Sequence, residues 1–337
     1  MSREGRDLPS PLWDPEVNRA VQDALPEVAI EAFGLLTRLG DGATLVALAF
    51  LLYWFGSEED RERRAMVLAI AVATLALVAG LKGILGVQRP LFVADPPLAF
   101  APETYGGWST PSAHAMGSAA VYGALAVVLD VGRRWQRYAV AGFLIVGISF
   151  SRVVLGLHYV GDVVLGVLLG LLLVYVALRI TVRSVTPMFA LSLSIALVAP
   201  LLGSEEFTEM AIGASLGGLV VWHSLQGRES HPTGASMLLL ALLVLPALAL
   251  VRLLDALIAV DGAVTIAGVA SVGFVAIAQT IGYAVAFGAG IAIPFAATAL
   301  DDTAAVRRLR TVLPFEGRTV DPDAAGEEPS VDERSHD

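Results

Sequence analysis

Three short stretches of the chain carry residue types suited to handling a phosphate group. The stretch "KGILGVQRP" (82–90) holds Lys82 and Arg89, seven positions apart. On a continuing helix they point the same way, with roughly 10 Å between their backbones, until Pro90 ends the helix. The stretch "TPSAHAMGSAA" (110–120) offers Thr110 or Ser112 as a helix cap and places His114 in the first turn. A helix N-terminus presents N–H groups and a positive dipole end to a phosphate oxygen. In "SRVVLGLHYVGD" (151–162), Ser151 and Arg152 finish one apolar run, Gly156 allows a reversal, and His158 and Asp162 start the next. A spacing of four puts these two on one helical face. The carboxylate can then accept from one imidazole nitrogen and leave the other unprotonated, as a nucleophile or base.

Each stretch alone has a structural reading: basic residues snorkel to headgroups, a serine caps its helix, a His–Asp pair satisfies itself. Their agreement points to function. All three fall on the same membrane face, at the ends of four spans that short connections make neighbours. Lys82, Arg89 and Arg152 can surround a dianion, as phosphoryl transfer requires for charge that spreads over equatorial oxygens. Ionisable groups at membrane depth are costly and mark functional sites.

The elements that must position them are membrane helices. Of 337 residues, 56% are hydrophobic and 16% charged, and the mean hydropathy is +0.71. Apolar runs long enough to cross roughly 30 Å of hydrocarbon occur at 42–56, 65–86, 113–131, 138–155, 159–178, 186–203, 208–225, 236–256 and 264–298. The expected fold is an all-α polytopic transmembrane bundle of about nine spans. Arg61, Arg63 and Arg64, then Arg133, Arg134 and Arg137, then Arg179 and Arg183, then Arg307, Arg308 and Arg310 mark the cytoplasmic loops. The three phosphate-handling stretches therefore face the exterior. Lys82 is the single lysine among 22 basic residues, and it stands on that outer side, against the orientation bias.

Four regions follow from the pattern. Residues 1–40 are an N-terminal segment without a cleavable signal, in which 26–40 reads as an amphipathic helix lying in the interface, with a short first span as the alternative. Residues 41–183 form the membrane core that holds the chemistry. Residues 184–300 add Gly- and Ala-rich spans of unknown role, where Gly213 and Gly217 suit close helix packing and Pro246 and Gln279 mark a kink or a polar lining. Residues 301–337 form a cytoplasmic tail, acidic and reading as disordered from 316, which carries much of the net charge of −10. Cysteine is absent, which excludes disulfides and thiolate chemistry. No basic run or aromatic platform supports nucleic-acid binding. His223, His231 and His336 have no matching partners and are given no role.

The three stretches together resemble the signature of the type 2 phosphatidic acid phosphatase and vanadium haloperoxidase superfamily: Lys, six residues, Arg-Pro; Pro-Ser-Gly-His; and Ser-Arg, five residues, His, three residues, Asp. Here they read Lys82 to Arg89-Pro90, Pro111-Ser112-Ala113-His114, and Ser151-Arg152 to His158 and Asp162. The resemblance implies that His158 attacks phosphorus, that Asp162 orients it, and that His114 protonates the leaving oxygen and then helps to activate water. It assigns Lys82, Arg89, Ser112 and Arg152 to the phosphate oxygens and calls for no metal or cofactor. Ala113 departs from the family's Gly, a handicap if that backbone needs a positive φ or close contact with phosphate. The expected activity is hydrolysis of a lipid phosphate or polyprenyl diphosphate by a multi-pass cell-membrane phosphatase. The alternatives are a lipid phosphotransferase using the same site and a non-catalytic phospholipid-binding transporter or scaffold. A haloperoxidase suits soluble helical proteins better than a chain with nine spans.

Overall fold

The computed structural model describes residues 10–99, 106–203, 207–228, 230, 232, 234–240, 242, 269–301 and 303–312. Among them the secondary structure is helical, with no strands. Helices satisfy the backbone within one segment, which an apolar solvent demands. The N-terminal part forms α1 (Pro15–Asp23), α2 (Glu27–Leu36), a 3-10 turn (Thr37–Gly40) and α3 (Gly42–Phe55). The middle forms α4 (Arg61–Leu85), the single turn α5 (Pro90–Val93), α6 (Ala113–Val128), α7 (Arg134–Val154) and α8 (Val160–Ile180). Beyond it lie α9 (Thr186–Val198), α10 (Thr208–Leu225), α11 (Val269–Leu300) and α12 (Ala304–Val312).

Helices α4, α7, α8 and the part Ala276–Leu300 of α11 are long and apolar enough to cross a membrane. A fifth crossing arises if Glu27–Gly40 and Gly42–Phe55, bent by 49°, form one broken span. The nine apolar runs thus do not yield nine such helices among the described residues. Hydropathy records how apolar a run is, not where its helix stops. The run 113–131 becomes a helix of 16 residues, because Ser112 caps its start and the backbone turns extended at Leu129. Most of the run 236–256 lies outside the described residues, as do Pro246, His231, His336 and the tail 316–337. The segment 26–40 continues into α3 through the bend, and its Phe33 packs edge-on against Phe150 of α7, with ring centroids 5.3 Å apart.

α4 is the hub of the bundle: 72% of its apolar window is buried, against 39% for α7 and 33% for α8. The outer faces of α7 and α8 leave Phe143, Val146, Leu168 and Leu172 exposed, as suits helices bordering acyl chains. α6 and α8 approach so closely that a Cβ on Gly170 would lie 2.4 Å from the Met116 carbonyl oxygen. The same logic holds between α10 and α11, where a Cβ on Gly217 would meet the Ala284 carbonyl oxygen at 2.0 Å. Gln279 is half-buried on α11, and His223 sits in the last turn of α10 beside Gln226, 3.2 Å away.

α11 is tied to the middle of the chain through α3. Pro294 lacks the N–H that would pair with the Gly290 carbonyl one turn back. Trp54 Nε1 donates to that oxygen at 2.8 Å, and the Tyr53 hydroxyl donates to the Ile291 oxygen at 2.9 Å. Because α4, α6, α7 and α8 alternate in direction, the C-terminal ends of α4 and α7 share one end of the bundle with the N-terminal ends of α6 and α8. The arginines at 61–64, 133–137 and 179–183 belong to the opposite end.

Candidate active site

α4 stops where Gly86 takes a left-handed φ of +57° and returns its N–H to the Lys82 carbonyl oxygen at 3.1 Å. The helix therefore does not continue to Arg89, and the two cations are not aligned by two further turns. Lys82 is buried in the last turn of α4, and Arg89 follows in extended backbone as the cap of α5. Released from helical geometry, Arg89 spans three loops. Its Nε donates to the carbonyl oxygens of Gly106 (3.0 Å) and Gly107 (3.2 Å), and its Nη1 donates to that of Leu157 (3.1 Å). The same Nη1 lies 3.0 Å from His158 Nε2.

Ser112 is the N-cap of α6, as its type and position suggest, and its Oγ accepts from the Ala115 N–H at 3.5 Å. Its own N–H donates to the Asp162 carbonyl oxygen at 3.1 Å, joining the second stretch to the third. Ala113 opens the helix. Among the described residues the one non-glycine with positive φ is Phe207, so the Ala113 methyl meets no conformational penalty.

The reversal after α7 occurs at Gly156, with φ +64°. The N–H groups of Leu157 and His158 both return to the Arg152 carbonyl oxygen, at 3.1 and 3.2 Å. α8 starts at Val160 behind the cap Tyr159, so His158 precedes the helix rather than beginning it. The pair still closes, with Nδ1 3.2 Å from Asp162 Oδ2. These contacts fix the tautomer. A guanidinium can only donate, so the Nε2 facing Arg89 accepts, the proton sits on Nδ1, and Nδ1–H donates to Asp162.

Asp162 is fully buried and gathers five donors. Oδ1 accepts from Trp13 Nε1 (3.0 Å) and from the Thr110 hydroxyl; Oδ2 accepts from the Ser109 hydroxyl, the Tyr159 N–H (3.0 Å) and His158. A buried carboxylate so engaged is fixed in place. The N-terminal helix also braces the loop that carries His158: Asn18 Nδ2 donates to the Val153 and His158 oxygens at 2.8 and 3.0 Å, and Gln22 Nε2 to the Val154 oxygen at 2.9 Å. Arg152 is buried and donates from Nη1 to Thr37 Oγ1 at 3.0 Å. His114 points its Nε2 at Asp41 Oδ1, 2.8 Å away, and lies within electrostatic reach of Arg152 and Arg89.

Of the residues singled out from the sequence, Arg89, His158 and Asp162 meet by direct side-chain contact. Ser112 and Arg152 join them through backbone hydrogen bonds, His114 stands within reach of the arginine charges, and Lys82 is buried at the same end of the bundle. Trp13, Asn18, Gln22, Thr37, Asp41 and Ser109 were not singled out.

Fold and site together define an all-helical membrane protein with a buried, polarised histidine among cations. Residues 43–186 match the family model described as PAP2 superfamily, and the match supports membership of that superfamily for this segment. The match points to phosphatase-type chemistry on a phosphoester. No curated protein and no solved structure matches the chain.

Proposed function

We propose that the protein is an integral-membrane phosphatase that removes a terminal phosphate from a lipid phosphate or polyprenyl diphosphate, through a phosphohistidine on His158 and without a metal ion. The observation that carries this reading is the polarised imidazole: Nδ1–H on a buried carboxylate, Nε2 turned toward Arg89. As phosphate oxygens enter, Arg89 transfers its donors from Nε2 to them, joined by Arg152, Lys82 and the Ser112 hydroxyl at the α6 N-terminus. The uncovered Nε2 lone pair forms the N–P bond while the bond from phosphorus to the leaving oxygen breaks. His114 gives that oxygen a proton. The phosphorylated imidazole keeps its Nδ1 proton, and Asp162 balances the resulting positive charge. In the second step water gives a proton to His114, its oxygen attacks phosphorus, the N–P bond breaks, and inorganic phosphate leaves.

The placement of the cluster supports this substrate class. The cluster sits at the ends of apolar helices, where a charged headgroup meets it while an acyl or prenyl chain runs beside the exposed faces of α7 and α8. The Arg-rich loops at the other end favour an exterior-facing site. The test is phosphate release by purified wild type and His158→Ala across a panel from phosphatidate to polyprenyl diphosphates. The proposal expects turnover of at least one lipid substrate by wild type and none by the variant. Wild-type activity in His158→Ala would remove the mechanism.

A further inference from the structure

We propose that Asp41 is the positioning carboxylate of His114, the counterpart for the general acid of what Asp162 is for the nucleophile; this rests on the phosphatase reading above. Asp41 occupies the N-cap position of α3, where an aspartate ordinarily accepts from its own helix N–H groups and stabilises the helix by about 1 kcal/mol. Here its side chain makes no capping hydrogen bond. It turns instead to His114 Nε2, 2.8 Å away. A helix start that forgoes its cap for a histidine in another helix is arranged for the histidine.

The surrounding turn is built to hold that approach. The 3-10 segment Thr37–Gly40 is pinned by the Tyr122 hydroxyl, which donates to the Leu39 oxygen at 2.8 Å, and by Arg152 on Thr37. Gly40 has no room for a side chain: a Cβ there would stand 2.5 Å from Ile148 Cγ2 and 3.2 Å from His114 Cδ2. The bend at residues 40–42 thus brings the first broken helix against α6 at the residue that must carry a proton.

The contact assigns the two nitrogens. A carboxylate accepts, so Nε2 holds a proton, and the proton delivered to the leaving oxygen comes from Nδ1. Burial and the Arg152 and Arg89 charges disfavour the imidazolium at His114; the Asp41 carboxylate opposes them, and it fixes the ring plane. Asp41 touches no reacting atom and acts only through His114.

Leaving-group dependence tests the proposal, since protonation matters for a strongly basic leaving oxygen and little for a weakly basic one. The full chain is assayed for kcat/KM on a long-chain alkyl phosphate and on 4-nitrophenyl phosphate, as wild type, Asp41→Asn and Asp41→Ser. Serine restores a capping residue without the charge, so a loss in Asp41→Ser is not a folding loss. The expected result is a fall of about 10²-fold on the alkyl ester and under about threefold on the nitrophenyl ester. Equal losses on both substrates, or none, overturn the positioning role while leaving the phosphatase reading standing if His158→Ala is inactive. A wild type that releases phosphate from neither ester and from no lipid in the panel overturns the phosphatase reading itself.

Discussion

Replacing Trp13 with Phe removes one N–H from the site while keeping an aromatic ring over Gly161. The indole N–H is shared between Asp162 Oδ1 at 3.0 Å and Thr110 Oγ1 at 3.2 Å. A hydrogen bond to a charged group contributes about 1.5–3 kcal/mol. The shared geometry and the Thr110 hydroxyl, which stays on the same oxygen, place this one at the lower end. Asp162 is 0% exposed, so water does not step in. A loss of about 1.5 kcal/mol in holding the carboxylate against the imidazolium corresponds to roughly a tenfold fall in kcat, at 1.36 kcal/mol per decade. Trp13 touches no phosphate, so KM stays within about twofold. The assay is steady-state phosphate release by purified protein in lipid. An unchanged kcat, or a rise in KM at constant kcat, refutes the claim that the N-terminal segment helps to fix Asp162.

Ala113→Gly should leave kcat equal or somewhat raised, because the backbone there is already helical; a large loss would show that the methyl group serves packing the site needs. Trp54→Phe strands the Gly290 carbonyl freed by Pro294 and should lower stability by about 1–3 kcal/mol, seen as a lower unfolding midpoint with activity per folded molecule unchanged; no shift would mean that α11 is not anchored this way. Exhaustive treatment with EDTA should leave turnover unchanged, and strong inhibition restored by a divalent cation would contradict the metal-free mechanism.

What was legible in the sequence had its partners within reach of local spacing. The 158/162 interval, the Ser112 cap and the Gly156 reversal follow from helix geometry and from the few residues that suit such turns. The apolar run 65–86 stops where α4 stops, but the alignment of Lys82 with Arg89 on a continuing helix does not occur, because the left-handed Gly86 ends the helix before Pro90. Asp41 lies 73 positions from His114, and Trp13 lies 149 from Asp162. No periodicity links such pairs. Trp13 lies before the interfacial segment 26–40 and Asp41 just after it, where an aspartate ahead of an apolar run has an ordinary capping role open to it. Nine spans are not confirmed among the described residues for a related reason: the apolar runs were visible, but the bend at residues 40–42 and the short α6 depend on tertiary packing.

The most direct measurement is chemical trapping of the intermediate. Wild type and His158→Ala are mixed with substrate carrying a radiolabelled terminal phosphate, quenched in alkali within one turnover, and mapped by peptide. The account predicts an alkali-stable, acid-labile phosphoryl group on the peptide containing His158, present in wild type and missing from the variant. Label on another residue, or steady turnover with no trapped label under conditions where breakdown of the intermediate is rate-limiting, would contradict it.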